Sequence, residues 1–548
     1  MESISNSKKF TKSEKSWIFY DWANSVYATN IMAAIFPIYF ASISGDIGNK
    51  WWGIGVAVSS LVCALLAPVL GAVADFRGYK KKLLAAFIGL GVVFTALMAV
   101  VGTWQWMLVG YVISRIGFSG ANVFYDSFLT DVTTRERMDR VSSWGFAMGY
   151  LGGSTIPFVI SIVFLLLTDF SVPAIKFSIL ITSVWWAAFS IPILLNVKQM
   201  HYVETPPKEL AKSAGKNIVD TAKRCFTDKG LFIFLVAYFL YIDGVDSIIS
   251  ISTNYGATLG LGSTGMILAL LVTQLVAVPF SILFSKLSEK VGAIRMIMSA
   301  IAIYFCICIV GFIMGRMMEP HQLAFANEVR DAVSGMEAPF EAGSADAKVY
   351  EQVLTDLVDG GKDELASDDR AAAFTELIDT LKVRATDPAG TVYRFSSTEA
   401  GGRAAEQLDQ IEAALADYAA DDSLKASYNV SLKTASMLFW VLATLVGTVQ
   451  GGIQALSRSY FGKLVPPKRS AEFFGFYDIF GKFAAVLGPI LYAVSYMLTD
   501  RASFGILSLV LLFAAGIAML IFGKAELMKT EERVRLAAAN AAEAGAEE

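Results

Sequence analysis

Long apolar runs, each closed by a short polar stretch, set the rhythm of the chain. They fall at approximately 17–41, 51–74, 83–101, 104–126, 141–167 and 174–197, and again at 231–255, 263–285, 294–315, 434–457, 473–497 and 503–523. Each is roughly 20 residues or more, enough at 1.5 Å per residue to cross ~30 Å of hydrocarbon as a helix. The pattern predicts an all-α membrane protein of twelve transmembrane helices in two groups of six. A polar stretch at 198–230, containing Pro206 and Pro207, separates the groups, and polar tails at 1–16 and 524–548 flank them.

One region breaks the rhythm. Between the ninth and tenth runs, residues 316–433 contain no apolar stretch long enough to span, and from 319 to 422 acids outnumber bases by more than two to one. Apolar residues recur there at helical spacing: Val349, Val353 and Leu357; Phe374, Leu377, Ile378 and Leu381; Leu408, Ile411, Leu415 and Tyr418. Such i, i+3/4, i+7 stripes predict three short helices, each with one apolar face. The expected division is a six-helix bundle at 17–197, helices 7–9 at 231–315, a small mainly helical insert at 316–433 and helices 10–12 at 434–523.

Charge placement orients the spans. Arg77, Lys80 to Lys82, Arg135, Arg137, Arg140, Lys286, Lys290, Arg295, Arg458, Lys463, Lys468 and Arg469 gather on one set of connections, whereas the short connections on the other side carry only Lys50, Lys176 and Arg501. Basic loops stay in the cytoplasm. The expectation is therefore cytoplasmic termini, an extracytoplasmic insert, and the lipid bilayer as the main surroundings. A hydrophobic fraction of 55% and a mean hydropathy of +0.54 exclude an ordinary soluble chain. His201 and His321 stand alone, and the four cysteines show no ligand spacing, so no metal or other cofactor is expected. Neither a phosphate-binding loop nor a nucleophile–base arrangement is legible, which argues against ATP use and against an enzyme. No feature calls for a nucleic-acid partner.

The connection between the second and third runs, GAVADFRGYKKK at 71–82, has an echo at 285–295 (SKLSEKVGAIR). Glu289 stands for Asp75, Gly292 for Gly78 and Arg295 for Lys81, an offset of 214 (Gly78 to Gly292). A second echo lays 120–145 on 452–477 at 332 (Asp126 to Arg458), pairing Asn122 with Gln454, Asp126 with Arg458, Asp131 with Lys463 and Arg140 with Glu472. The excess, 118, is about the length of the insert, so both echoes describe one duplication. Three aligned pairs invert charge, as two halves facing across a pseudo-two-fold axis need in order to attract. The Gly-x-x-x-Asp-x-x-Gly-x-Lys-Lys spacing resembles the signature loop of the major facilitator superfamily, with Phe76 where a basic residue is usual. YDWANSVYAT, NVFYDSFLTDV, GYLGG, FLYIDGVDS, GGIQALSRS and EFFGFYDIFGK resemble its vacuole-effluxer branch, named for an autophagy-related fungal member that exports amino acids from the vacuole. The resemblance covers the membrane part and not the insert. It implies two six-helix bundles that rock about a central site, and a bacterial inner-membrane location. The GYLGG stretch lacks the Pro of the superfamily's antiporter-type motif, having Tyr150 there.

Charged groups within spans need a reason, because each costs at least ~2.5–3.5 kcal/mol even on the lenient insertion scale. Arg115, Ser119, Asn122 and Asp126 form one stripe; Asp243, Asp246, Ser250 and Asn254 form another. A fixed ion pair, Arg115 to an Asp, is one account. A water-filled solute path is the other, and the neutral polar groups on both stripes favour it. The expected binding and coupling residues are Asp21, Asn24, Arg115, Asn122, Asp126, Asp243, Asp246, Gln274, Gln450 and Gln454, with Asp243 or Asp246 as the titrating carboxylate and Arg115 its partner. The expected gate residues are Asp75, Arg77, Lys80, Asp131, Glu289, Arg458 and Lys463. The reading is secondary transport of a small polar solute, by resemblance amino acids, coupled to protons. The rival is a receptor or scaffold that binds an extracytoplasmic partner through its insert.

Overall fold

The computed structural model describes residues 9–168, 171–204, 210–261, 263–365, 367 and 369–544; Pro206 and Pro207 lie outside them. Among the described residues, twelve helices are long and apolar enough to cross a membrane. Spans 1 to 6 are Lys12–Ser44, Trp51–Ala74, Tyr79–Val100, Trp104–Val132, Arg135–Leu167 and Val172–Asn196. Spans 7 to 12 are Lys229–Thr258, Leu268–Val291, Ala293–Ser334, Asp422–Leu464, Pro467–Thr499 and Ala502–Asn540. No strand forms among the described residues, and one isolated bridge pairs Phe76 with Val203.

Local chemistry starts and turns these helices. Thr11 caps span 1 by accepting from the N–H of Glu14, whose carboxylate returns to the N–H of Thr11, a reciprocal capping box. Gly78 (φ 78°) and Gly292 (φ 92°) each stand one residue before a new span. Both positions need a left-handed backbone that a side chain would strain. Their equivalence is the structural form of the 214-residue echo.

Buried apolar side chains form two cores. One joins spans 1 to 6 through Trp17, Phe36, Phe124 and Trp186; the other joins spans 7 to 12 through Phe234, Tyr304, Phe461 and Phe513. Outward faces carry exposed Leu65, Leu166, Leu195, Met497 and Phe522, the surface that lipid covers in a spanning protein. Spans 2 and 11 cross backbone to backbone: a Cβ on Gly71 would run into the carbonyl oxygen of Ala471. The absence of a side chain there lets the halves touch.

The insert joins the second core. Span 9 is one helix of 42 residues to Ser334, and span 10 belongs to a helix of 43 residues from Asp422, so both run uninterrupted past the expected limits at 315 and 434. Helices Ala345–Glu364, Arg370–Ala385 and Thr398–Ala420 carry the three apolar stripes. They pack on the extension of span 9, where Phe325 stacks on Phe374 with ring centres 5.0 Å apart. Buried Arg370 donates to the carbonyls of Tyr418, Ala419 and Asp421, tying the second of these helices to the end of the third.

Candidate transport cavity and closure at the basic loops

Arg458, buried in span 10, is the centre of the contact between halves. Its guanidinium donates to Asp126 (3.0 Å), to Asp21 (3.2 Å) and to the hydroxyl and carbonyl of Ser142 (2.9 and 3.1 Å), all in the first half. Phe146, Trp17 and Tyr125 enclose it, with ring centres 4.4, 4.7 and 5.3 Å from Cζ. Tyr125 donates its hydroxyl to Asp21 (2.6 Å), and the Trp17 indole N–H holds the Tyr125 carbonyl (2.8 Å). Two carboxylates, a hydroxyl and three ring faces leave this charge fully accompanied, as burial requires.

Above this group toward the middle of the spans lies a cavity of about 390 Å³. Asp21, Asn24, Asn122 and Asp126 line it from the first half; Asp246, Gln454, Asp478, Lys482 and Arg458 line it from the second. Asn24 donates to Asn122 (2.5 Å), and Lys482 bonds Asp478 one turn earlier on span 11. Asp246 alone among these carboxylates has neither a hydrogen bond nor an ion pair among the described residues.

Toward the basic loops the halves are stitched together. Lys80, fully buried, donates to Asp131 in its own half and to Ser470 in the other, at 2.8 Å each. Asp75 accepts the N–H groups of Ala471 and Glu472 (2.9 and 3.0 Å) at the start of span 11, where the helix leaves N–H groups unpaired. Burial pushes the Asp75 carboxyl up to about 7, against the pull of Lys80 and of those two N–H groups. On the pseudo-symmetric side the acid comes from the span instead. Asp139 accepts from Ser459 (2.6 Å), Lys463 (2.7 Å) and Ser288 (3.3 Å). Arg135 also donates to the Lys463 carbonyl.

The start of the linker braces this closure. The Gln199 side chain donates to the Ala74 carbonyl (3.0 Å) and accepts the Gly78 N–H (2.8 Å). Met200 and His201 donate their N–H groups to Asp131 (2.9 and 2.8 Å), and Val203 bonds the backbone of Asp75 and Arg77.

Several expected placements are corrected. Asp131 pairs with Lys80 rather than Lys463, because the span 4 helix breaks at Phe128 and turns Asp131 toward the hairpin. Lys463 takes Asp139 instead. Asp243 and Arg115 form no pair. Asp243 faces span 11, where the Gly488 N–H reaches both its oxygens at 3.0 Å and Ser247 adds a longer bond (3.4 Å), so backbone satisfies it away from the cavity. Arg115 has no ion pair among the described residues. Gln274 and Gln450 line a separate, mostly apolar cavity within the second half. Glu289 is exposed, as is Arg77, which lies over the Tyr202 ring (5.3 Å). Asp139, Ser142, Ser470 and Gln199 were missed.

Two cores facing across a shared polar cavity, closed at one end by paired charges, define a facilitator-type membrane transporter. The profile of the family described as "Vacuole effluxer Atg22 like" matches residues 54–320 and 431–533, leaving out the interior of the insert. The MFS-type transporter YxiO of Bacillus subtilis, itself uncharacterized, is 36% identical over 94% of this chain and 95% of its own length. Autophagy-related protein 22 of Yarrowia lipolytica is 22% identical over 70% of this chain and 50% of that protein. A bacterial homologue of the iron transporter ferroportin, in an outward-facing state, superposes with a TM-score of 0.49 at 11% identity, over 95% of this chain and 98% of that one. The chain belongs to the vacuole effluxer Atg22-like family and is an MFS-type transporter, not an enzyme.

Proposed function

We propose that the protein moves a small amine-bearing polar solute of the amino-acid class by alternating access, coupled to protons through Asp246. The observation that carries this reading is the unpartnered Asp246 carboxylate on a cavity lined by both halves. A carboxyl group in such a place either stays ionised beside a cation or takes up a proton and becomes neutral. A solute ammonium and a coupled proton would compete for it, which links the two fluxes. Asp21, Asn24, Asn122, Gln454 and the Lys482–Asp478 pair supply the polar wall that recognises the rest of the solute. The Arg458 group forms the floor on the cytoplasmic side. The basic loops support a cytoplasmic floor and an insert on the opposite face.

The test is uptake of amino acids by proteoliposomes under an imposed pH gradient. Asp246→Asn should abolish gradient-driven accumulation while keeping solute exchange. Accumulation at the unchanged rate in that variant would remove Asp246 from the coupling. For orientation, cysteine at exposed Thr398, in a Cys306→Ser background, should react with an impermeant thiol reagent in intact cells. Reaction only after lysis would invert the topology.

A further inference from the structure

A second polar cavity, of about 430 Å³, lies where the insert meets the membrane part. Its walls are the end of span 7 (Thr258 and Leu259), the extension of span 9, the first insert helix and the turn between spans 11 and 12. No functional residue described above lines it, and it is as large as the transport cavity.

Its charges are unequally used. Glu319, buried, is spent on the start of span 12: it accepts the Ser503 N–H (2.7 Å) and hydroxyl (2.8 Å), with Arg316 3.6 Å away. Lys362 is held by Asp359 (2.8 Å). Gln322, also on the wall, donates its amide N–H to the Thr258 carbonyl (2.9 Å). Arg330 donates to the neutral Asn327 (3.1 Å). Arg501 and Asp500 have no ion pair among the described residues, and Asp500 adopts a left-handed backbone (φ 52°), unique among the described non-glycine residues. The cavity thus offers two guanidinium groups without a carboxylate and one carboxylate without a cation. A guanidinium presents parallel donors to a carboxylate, and a carboxylate accepts from an ammonium.

We propose that this cleft is a binding site for a small solute carrying both a carboxylate and an ammonium group, with Arg501 and Arg330 taking the carboxylate and Asp500 the ammonium. That is the solute class inferred for the transport cavity, so the proposal rests on that reading for the solute's identity but not for the site. Every wall belongs to the second half or to the insert fixed on it. The site therefore keeps its shape while the halves move, and it suits capture of solute near the mouth rather than translocation.

The experiment uses the full-length protein in detergent with Cys306→Ser and an environment-sensitive fluorophore on a cysteine at Thr355, an exposed residue of the cleft wall. Alanine is the probe, with propionate and ethylamine as its two halves. Alanine should give a saturable signal and each half should bind at least tenfold more weakly. Arg501→Leu should weaken alanine at least tenfold, as should Arg330→Gln, which guards against a folding defect in the first variant. Asp246→Asn should leave the titration unchanged. The proposal is overturned if alanine gives no saturable signal, if both arginine variants titrate like the parent, or if Asp246→Asn removes the signal. Failure of proteoliposome transport with the cleft titration intact would count against the proposed function alone.

Discussion

Arg458 answers to two carboxylates, and that changes what charge reversal does. Asp126→Arg should place like charges together, part the ends that carry the basic loops and raise the labelling of a cysteine placed on the cavity floor from that side. Adding Arg458→Asp restores the Asp126 attraction but sets a new carboxylate against Asp21. Labelling should therefore return toward the parent only in the triple variant that also carries Asp21→Asn. A double variant that recovers fully would show that Asp21 contributes nothing. Arg458→Met, which strands two carboxylates, should cost about 3–5 kcal/mol in stability in detergent, whereas Asp126→Asn should cost about 1 kcal/mol. Asp75 supplies a pH dependence. Parted from span 11 it is an ordinary carboxyl, and closed against it burial raises it to about 7. Closure thus takes up a proton, and the stabilisation is complete below the ordinary carboxyl range and fades as pH rises through about 7. Labelling from the side of the basic loops should increase from pH 6 to pH 8 in the parent and lose that slope in Asp75→Asn.

Among elements, the linker segment at 197–203 is the surprise, since it braces the hairpin that the first half extends toward the second. Gln199→Ala removes the acceptor of the Gly78 N–H, so hydrogen exchange at Gly78 should quicken by about tenfold, equal to ~1.4 kcal/mol. Unchanged exchange there would show that the brace adds nothing. Such a strap was illegible because its bonds run through backbone N–H groups and one amide, which leave no periodic trace. The spans were legible for the opposite reason: a lipid-facing helix must be apolar throughout its length. Asp126 and Arg458 emerged from the internal offset because duplication keeps spacing. Asp139 stayed hidden among Arg135, Arg137 and Arg140, where an acid reads as a solvated neighbour of bases. Asp243 misled for a different reason. A carboxylate within a span suggests a charge partner, yet the Gly488 N–H, beside Pro489 of the same helix, serves instead. Periodicity sees which face a residue takes, not which backbone group waits there.

At the scale of the whole molecule, the insert shares a core with only one half. Replacing 320–430 by a short flexible linker removes Phe325 and Val329 together with the helices that cover them, so a monodisperse particle should remain. Replacing only 335–421 leaves those two side chains bare and should broaden or aggregate the particle in size-exclusion chromatography. Equal behaviour of the two deletions would show that the shared core is unimportant. The uninterrupted helices of spans 9 and 10 also make the insert a pointer. From 316 to 334 the first of them extends ~28 Å at 1.5 Å per residue, and a rigid arm converts a small tilt at its root into a larger arc at its tip. Spin labels at exposed Thr380 on the insert and at Thr103 between spans 3 and 4 would read the angle between the halves with built-in magnification, so the protein carries its own goniometer.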